Sequence, residues 1–191
     1  MMTLDEKSRM EYAALMNQAR DAERMAVSSW MAAAIAAAFL LAWGIGSKQP
    51  GALLPAVLAA AAGFLATARW REQAMLLAGY IEAHHETPEG SPAFHTRMGR
   101  LQGTLGAGQA RDWHVTALLN AIACTAGVAA WMAASNAENG ELWAGLVTGC
   151  TLALASYSFS ETARMQQIDG VALWRRSEGQ IQEVRRSLTS R

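Results

Sequence analysis

The sequence predicts an all-α integral membrane protein with four transmembrane helices, arranged as two antiparallel hairpins with amphipathic cytoplasmic helices. Four apolar segments, at residues 26–46, 51–68, 115–134 and 142–159, contain no Asp, Glu, Lys or Arg. About 20 such residues cross a bilayer core of about 30 Å, because a helix rises about 1.5 Å per residue. Fifteen of the 16 basic residues lie on one side of these segments, and six of the seven tryptophans lie near segment ends.

The first hairpin is predicted from the spans at residues 26–46 and 51–68, with a cytoplasmic helix before it. Residues 31–43 read MAAAIAAAFLLAW, and a helix that is apolar all the way round needs lipid or complete burial. Residues 4–25 contain no Gly or Pro, so we expect a helix that runs directly into the first segment. Gln-Pro-Gly at 49–51 then predicts a tight turn into the second segment.

Between the hairpins, helix-favouring sequence continues after Arg69 until Pro88, Gly90 and Pro92. One face of a following amphipathic helix is predicted from the spacing of Phe94, Met98, Leu101 and Leu105. The third and fourth segments are joined by residues 135–141, which contain an Asn-Gly turn signal. After the fourth segment, a further amphipathic face is predicted from Ile181, Val184 and Leu188.

These elements divide the chain into three parts. Residues 1–87 hold the N-terminal helix, the first hairpin and its cytoplasmic extension. Residues 88–112 form a cytoplasmic linker with an amphipathic helix, and residues 113–191 hold the second hairpin and a C-terminal cytoplasmic helix.

The distribution of charge predicts the orientation. Arg and Lys concentrate in cytoplasmic loops, whereas the two short connections here hold only Lys48, Glu138 and Glu141. We therefore expect a multi-pass protein of the cell inner membrane with both termini in the cytoplasm. The tryptophans agree with this orientation, because indole rings favour the headgroup boundary.

Small residues recur every four positions on the spans, where they allow helix backbones to approach closely. The candidates for helix packing or oligomerisation are Gly145, Gly149 and Ala153 in the fourth segment, and Ala59 and Gly63 in the second. Two interpretations stay open, namely packing within one bundle and association with a second copy or another membrane subunit.

Polar side chains within the spans are few. Thr116, Asn120 and Cys124 follow each other at spacings of four in the third segment, so we expect them on one helix face. An Asn at membrane depth usually forms an interhelical hydrogen bond, and contact with a permeating solute is the alternative. Because no span holds an ionisable Asp, Glu, Lys or Arg, an ion-coupled transporter is disfavoured.

Other functional classes find little support. A net charge of zero disfavours nucleic-acid binding. The group Glu82, His84, His85, Glu86 and His95 lacks the second motif of a di-iron site, so we predict no metal. The glycines at 103–108 lack the lysine of a phosphate loop, and Ser156, Ser158 and Ser160 have no histidine partner, so we predict no cofactor and no catalytic residue.

The function predicted from the sequence is therefore non-enzymatic. We expect a structural or accessory subunit of a membrane assembly that recognises partners through its cytoplasmic helices. Its partners would be membrane lipid, a second copy or other membrane-protein subunits, and a cytoplasmic protein, but no nucleic acid. One alternative is a homo-oligomeric pore or membrane-perturbing effector, which would line a central path with Thr116, Asn120 and Cys124, or with Thr148 and Thr151. The other is a small transporter of a neutral solute.

Overall fold

The computed structural model describes residues 4–84 and 107–167, and within these ranges every regular element is helical. The helices are α1 (Leu4–Ser47), α2 (Leu54–His84), α3 (Ala107–Ala133) and α4 (Gly140–Gln166), with short 3-10 turns at Pro50–Leu53 and Ala134–Asn136. All four are long and apolar enough to cross a membrane. The prediction of an all-α protein with four candidate spans is thus confirmed. The predicted amphipathic helices near residues 94–105 and 181–188 lie outside the described residues.

Helices α1 and α2 are both longer than a bilayer requires. α1 has 44 residues, which corresponds to about 66 Å of helix. It runs from the charged N-terminal sequence into the first apolar segment without a break, because Gly44 is its first helix-weakening residue. α2 has 31 residues and continues past Arg69 to His84.

α1 and α2 pack closely against each other along alanine-rich faces. Their fully buried alanines include Ala37, Ala56 and Ala60. Burial continues where both helices leave the apolar segments, and the buried side chains of that extension are Met16, Ala19, Ala22 and Ile81. The charged part of α1 is therefore a packed element of the fold.

The bundle has two distinct ends. At the link end, residues 48–53 connect α1 to α2 and residues 134–139 connect α3 to α4. Lys48 and Asn139 adopt the left-handed region, with φ of 56° and 57°. Gly140 follows Asn139 because a Cβ there would overlap the carbonyl group of Ala134. The opposite end, where α1 begins and α2 ends, is called the basic end below.

The shared core of the bundle lies between α2, α3 and α4, with contributions from α1. Its largest buried side chains are Phe64, Leu53, Leu119 and Leu154. The surface of the spans is apolar as well, and Phe39 and Met132 are 73% and 77% exposed. Such a surface suits lipid, since soluble proteins rarely expose large continuous apolar patches.

Candidate functional site

Polar side chains of the spans meet between α3 and α4, near the basic end. The hydroxyl groups of Thr116 and Thr162 lie 2.9 Å apart. One turn further along, the Asn120 amide nitrogen donates to the Ser158 hydroxyl at 2.7 Å and to the Thr116 carbonyl at 2.8 Å. All four side chains are buried. Thr116 and Asn120 therefore form the interhelical bonds that their position favours.

The same pair of helices is joined by polar contacts closer to the link end. The Thr151 hydroxyl lies 3.1 Å from the Ala123 carbonyl of α3 and 2.9 Å from the Val147 carbonyl of its own helix. The Trp131 indole donates to the Thr148 hydroxyl at 3.0 Å. Every hydroxyl proposed above as a pore lining thus has a partner within the same chain.

Sequence reasoning missed Ser158 and Thr162 as the partners of α3. The antiparallel register of the two helices could have identified these partners. Each step of four residues forward along α3 is matched by a step of four residues back along α4. Asn120 is one step from Thr116, and Ser158 is one step from Thr162. A polar residue in one span therefore indicates where to search for its partner in the next.

One buried acceptor in this cluster has no donor. The Asn120 side chain is 7% exposed, and its Oδ1 atom forms no hydrogen bond within the described part of the chain. The amide cannot be reversed to remove the problem, because its nitrogen faces the Thr116 carbonyl, which only accepts. An orphaned buried acceptor costs about 1–3 kcal/mol.

Cys124, the third member of the predicted polar set, does not join this cluster. Its side chain is exposed, whereas Thr116 and Asn120 face α4. A helix turns about 100° per residue, so two steps of four residues rotate a side chain by about 80° away from the first. Cys124 and Cys150 are both free thiols.

The predicted packing residues of α2 lie inside the bundle. Ala59 is partly buried against the core, and Gly63 is buried against α1. A Cβ added to Gly63 would lie far within 3.0 Å of the Ala33 Cβ, a separation that real Cβ atoms essentially never show. At this crossing the two backbones approach closely because one residue has no side chain.

The predicted packing residues of α4 have the opposite environment. Gly145, Gly149 and Ala153 are exposed, and a Cβ added to either glycine would meet nothing within 4 Å. The five candidates therefore divide into an internal pair on α2 and an outward face on α4. These three outward residues are called the α4 face below.

Two further contacts connect α4 to the first half of the chain. At the link end, a Cβ on Gly51 would lie 3.2 Å from the Trp143 ring, so the indole packs directly on the turn before α2. At the basic end, Arg164 pairs with Glu161 of its own helix and, at 3.5 Å, with Glu72 of α2.

Tyr157 and Phe159, the sequence neighbours of Ser158, each form an aromatic contact. Phe64 of α2 meets Tyr157 edge to face, with ring centroids 6.1 Å apart. Trp113 and Phe159 lie 5.5 Å apart between α3 and α4. Within the described residues, no group of three or more His, Cys, Asp or Glu side chains could hold a metal ion. His85, Glu86 and His95 of the rejected metal group lie outside those residues.

Comparison with protein-family models, with curated proteins and with solved structures gave no match for this chain. Function therefore has to be argued from the residues and their arrangement.

Proposed function

We propose that this protein is a non-enzymatic structural or accessory subunit of an inner-membrane assembly, which recognises partners through its cytoplasmic helices. The observation that carries the proposal is the extension of α1 and α2 beyond the apolar segments. About 22 residues of α1 precede residue 26, which is about 33 Å of helix. Met16 and Ile81 are buried in this extension, so it is held by packing and offers a preformed surface.

The membrane arrangement is part of the proposal. α1 with α2, and α3 with α4, form two antiparallel transmembrane hairpins whose short links face away from the cytoplasm. The positive-inside rule supports this orientation, since the links hold one basic residue, whereas the sequence before residue 26, between residues 68 and 115 and after residue 159 holds the other 15. In this arrangement the α1–α2 extension and both termini are cytoplasmic.

The α4 face supports assembly within the membrane. Small residues at spacings of four allow a second helix to approach closely, and no atom of the described residues occupies this space beside Gly145 and Gly149. Replacing both with Leu should lower the oligomeric state measured by native mass spectrometry. Gly46→Leu is the control, because it adds a Leu side chain at another position where a Cβ meets no described atom within 4 Å. An unchanged oligomeric state in the double variant would remove α4 as an interface.

The alternative of a pore draws no support from the side chains expected to line it. Thr116, Asn120 and Thr151 bond between α3 and α4, and Cys124 lies on another side of α3. These contacts therefore do not indicate where a solute could pass through the bundle.

Site-specific photocrosslinking in living cells tests partner recognition. A photoreactive amino acid is placed at exposed Gln18 on α1 or at exposed Gln73 on α2, and at exposed Val128 on the apolar surface as control. We expect discrete protein adducts from Gln18 or Gln73 that are absent from Val128. Mass spectrometry of each adduct then distinguishes a second copy from another protein. Adducts with lipid alone from all three positions would contradict the proposal.

A further inference from the structure

A shallow concavity lies on α1 where the charged sequence meets the apolar segment. Its volume is about 400 Å³, and the described residues that line it are Arg20, Glu23, Arg24, Val27, Ser28 and Met31. These residues recur at spacings of three and four, so they occupy one face of the helix. Ala22 and Ala26, on another face, are buried. This concavity is called the α1 groove below.

The α1 groove has a charged half, which precedes the apolar segment, and an apolar half within that segment. A lipid at a membrane boundary has the same arrangement, with its headgroup outside the apolar layer and its acyl chains inside it. Arg24 is the last charged residue before a stretch without charge that ends at Lys48. Val27 and Met31 follow on the apolar side and are 37% and 47% exposed. The Ser28 hydroxyl already donates to the Met25 carbonyl, so it does not interrupt the apolar half.

The two guanidinium groups of the groove form no hydrogen bond with other described residues. Arg20 forms no ion pair with any other described residue. Arg24 lies 3.8 Å from Asp21, a separation too long for a hydrogen bond, and both side chains are largely exposed. Arginines four residues apart on one helix face are neighbours, and each can bind a phosphate through two parallel hydrogen bonds.

The carboxylate of Glu23 lies between these arginines in sequence and lines the same groove. It repels a headgroup that is only anionic and attracts an ammonium group. The set of charges therefore matches a zwitterionic headgroup, in which a phosphate and a primary amine stand a few bonds apart. Ethanolamine fits better than choline, because a primary ammonium donates hydrogen bonds to a carboxylate and a quaternary one cannot.

We infer that the α1 groove binds one phosphatidylethanolamine molecule, with its phosphodiester on Arg20 and Arg24, its ammonium on Glu23, and one acyl chain along Val27 and Met31. The identity of the leaflet rests on the proposed function, which makes this end cytoplasmic. Binding itself does not depend on that orientation.

Native mass spectrometry of the full-length, delipidated protein tests this inference. Phosphatidylethanolamine, phosphatidylglycerol and phosphatidylcholine with identical chains are titrated separately, and inorganic phosphate is the soluble competitor. We expect tightest retention of phosphatidylethanolamine and no displacement by millimolar phosphate. Equal retention of all three lipids, or displacement by phosphate alone, would overturn the inference.

Variants assign the binding to the groove. The double variant Arg20→Gln, Arg24→Gln should bind phosphatidylethanolamine at least about tenfold more weakly, because it removes the charge-assisted hydrogen bonds from both guanidinium groups to the phosphodiester. Glu23→Gln should abolish the preference for ethanolamine over glycerol headgroups. Arg69→Gln is the control, because Arg69 is exposed at the same end of the bundle on α2.

The folding of each variant is measured separately, and the membrane topology does not affect the binding result. Circular dichroism and the thermal unfolding midpoint should match the wild type for each groove variant, because these side chains are exposed. Since binding is measured in detergent, a wrong membrane orientation would leave the result unchanged. Retention by the double variant equal to that of Arg69→Gln would place the lipid elsewhere and overturn the inference.

Discussion

The close approach of α1 and α2 at Gly63 gives a quantitative prediction. A Cβ at this position falls far within 3.0 Å of the Ala33 Cβ, while the next atom, the Ala33 Cα, would be 3.5 Å away. Gly63→Ala must therefore push the helices apart, and overpacking of this kind costs about 1–3 kcal/mol. Removing the Ala33 methyl group should relieve the clash, because 3.5 Å is an ordinary van der Waals contact.

Helix propensity acts against this loss, because a Gly→Ala change by itself stabilises a helix. Ala is favoured over Gly in a helix by up to about 1 kcal/mol. Gly46→Ala measures that gain alone, since a Cβ there meets nothing within 4 Å. Gly63→Ala should thus be about 1–3 kcal/mol less stable than Gly46→Ala.

Reversible unfolding in mixed detergent micelles, followed by tryptophan fluorescence, gives the free energy of unfolding for each variant. The double variant Gly63→Ala, Ala33→Gly should regain most of the lost stability, and the cycle isolates the contact from helix propensity. If Gly63→Ala is as stable as Gly46→Ala, or if Ala33→Gly does not restore it, the close crossing is wrong.

Three further predictions test the contacts between helices. Thr151→Val should lower the free energy of unfolding by about 0.6–1.7 kcal/mol, because it removes a hydrogen bond to the Ala123 carbonyl. The control Thr125→Val should be nearly neutral, because the Thr125 hydroxyl bonds only within α3. Equal losses would contradict the interhelical bond. Ser158→Ala should destabilise the protein by about 1 kcal/mol, since it removes the acceptor for the Asn120 amide, and Ser160→Ala is the exposed control. A double-mutant cycle between Arg164 and Glu72 should give no more than about 1 kcal/mol, because both side chains are substantially exposed, and a larger coupling would show that this pair is desolvated.

The spans and their turns could be predicted because their causes are local. A charge-free stretch of about 20 residues indicates a transmembrane helix whatever packs beside it. The Asn-Gly pair at the second link likewise predicts its own turn, and Asn139 adopts the left-handed region there. The continuation of α1 through residues 4–25 follows from the absence of Gly and Pro.

The roles of the small residues could not be predicted, because they depend on tertiary packing. Gly63 and Gly149 have similar neighbours at similar spacings, yet one is buried against Ala33 and the other is open. Only the rotation of each helix in the bundle distinguishes them. The same rotation separates Cys124 from Asn120, although both were expected on one face.

The orientation of the α1–α2 extension is tested most directly by labelling single cysteines in intact cells. In a background of Cys124→Ala and Cys150→Ala, a cysteine replaces exposed Gln18 or Gln73 at the basic end, or exposed Gln49 or Ser135 at the link end. A maleimide that cannot cross the inner membrane should label only the two link-end positions until the cells are permeabilised. Labelling of Gln18→Cys or Gln73→Cys in intact cells would contradict the cytoplasmic extension and the function proposed for it.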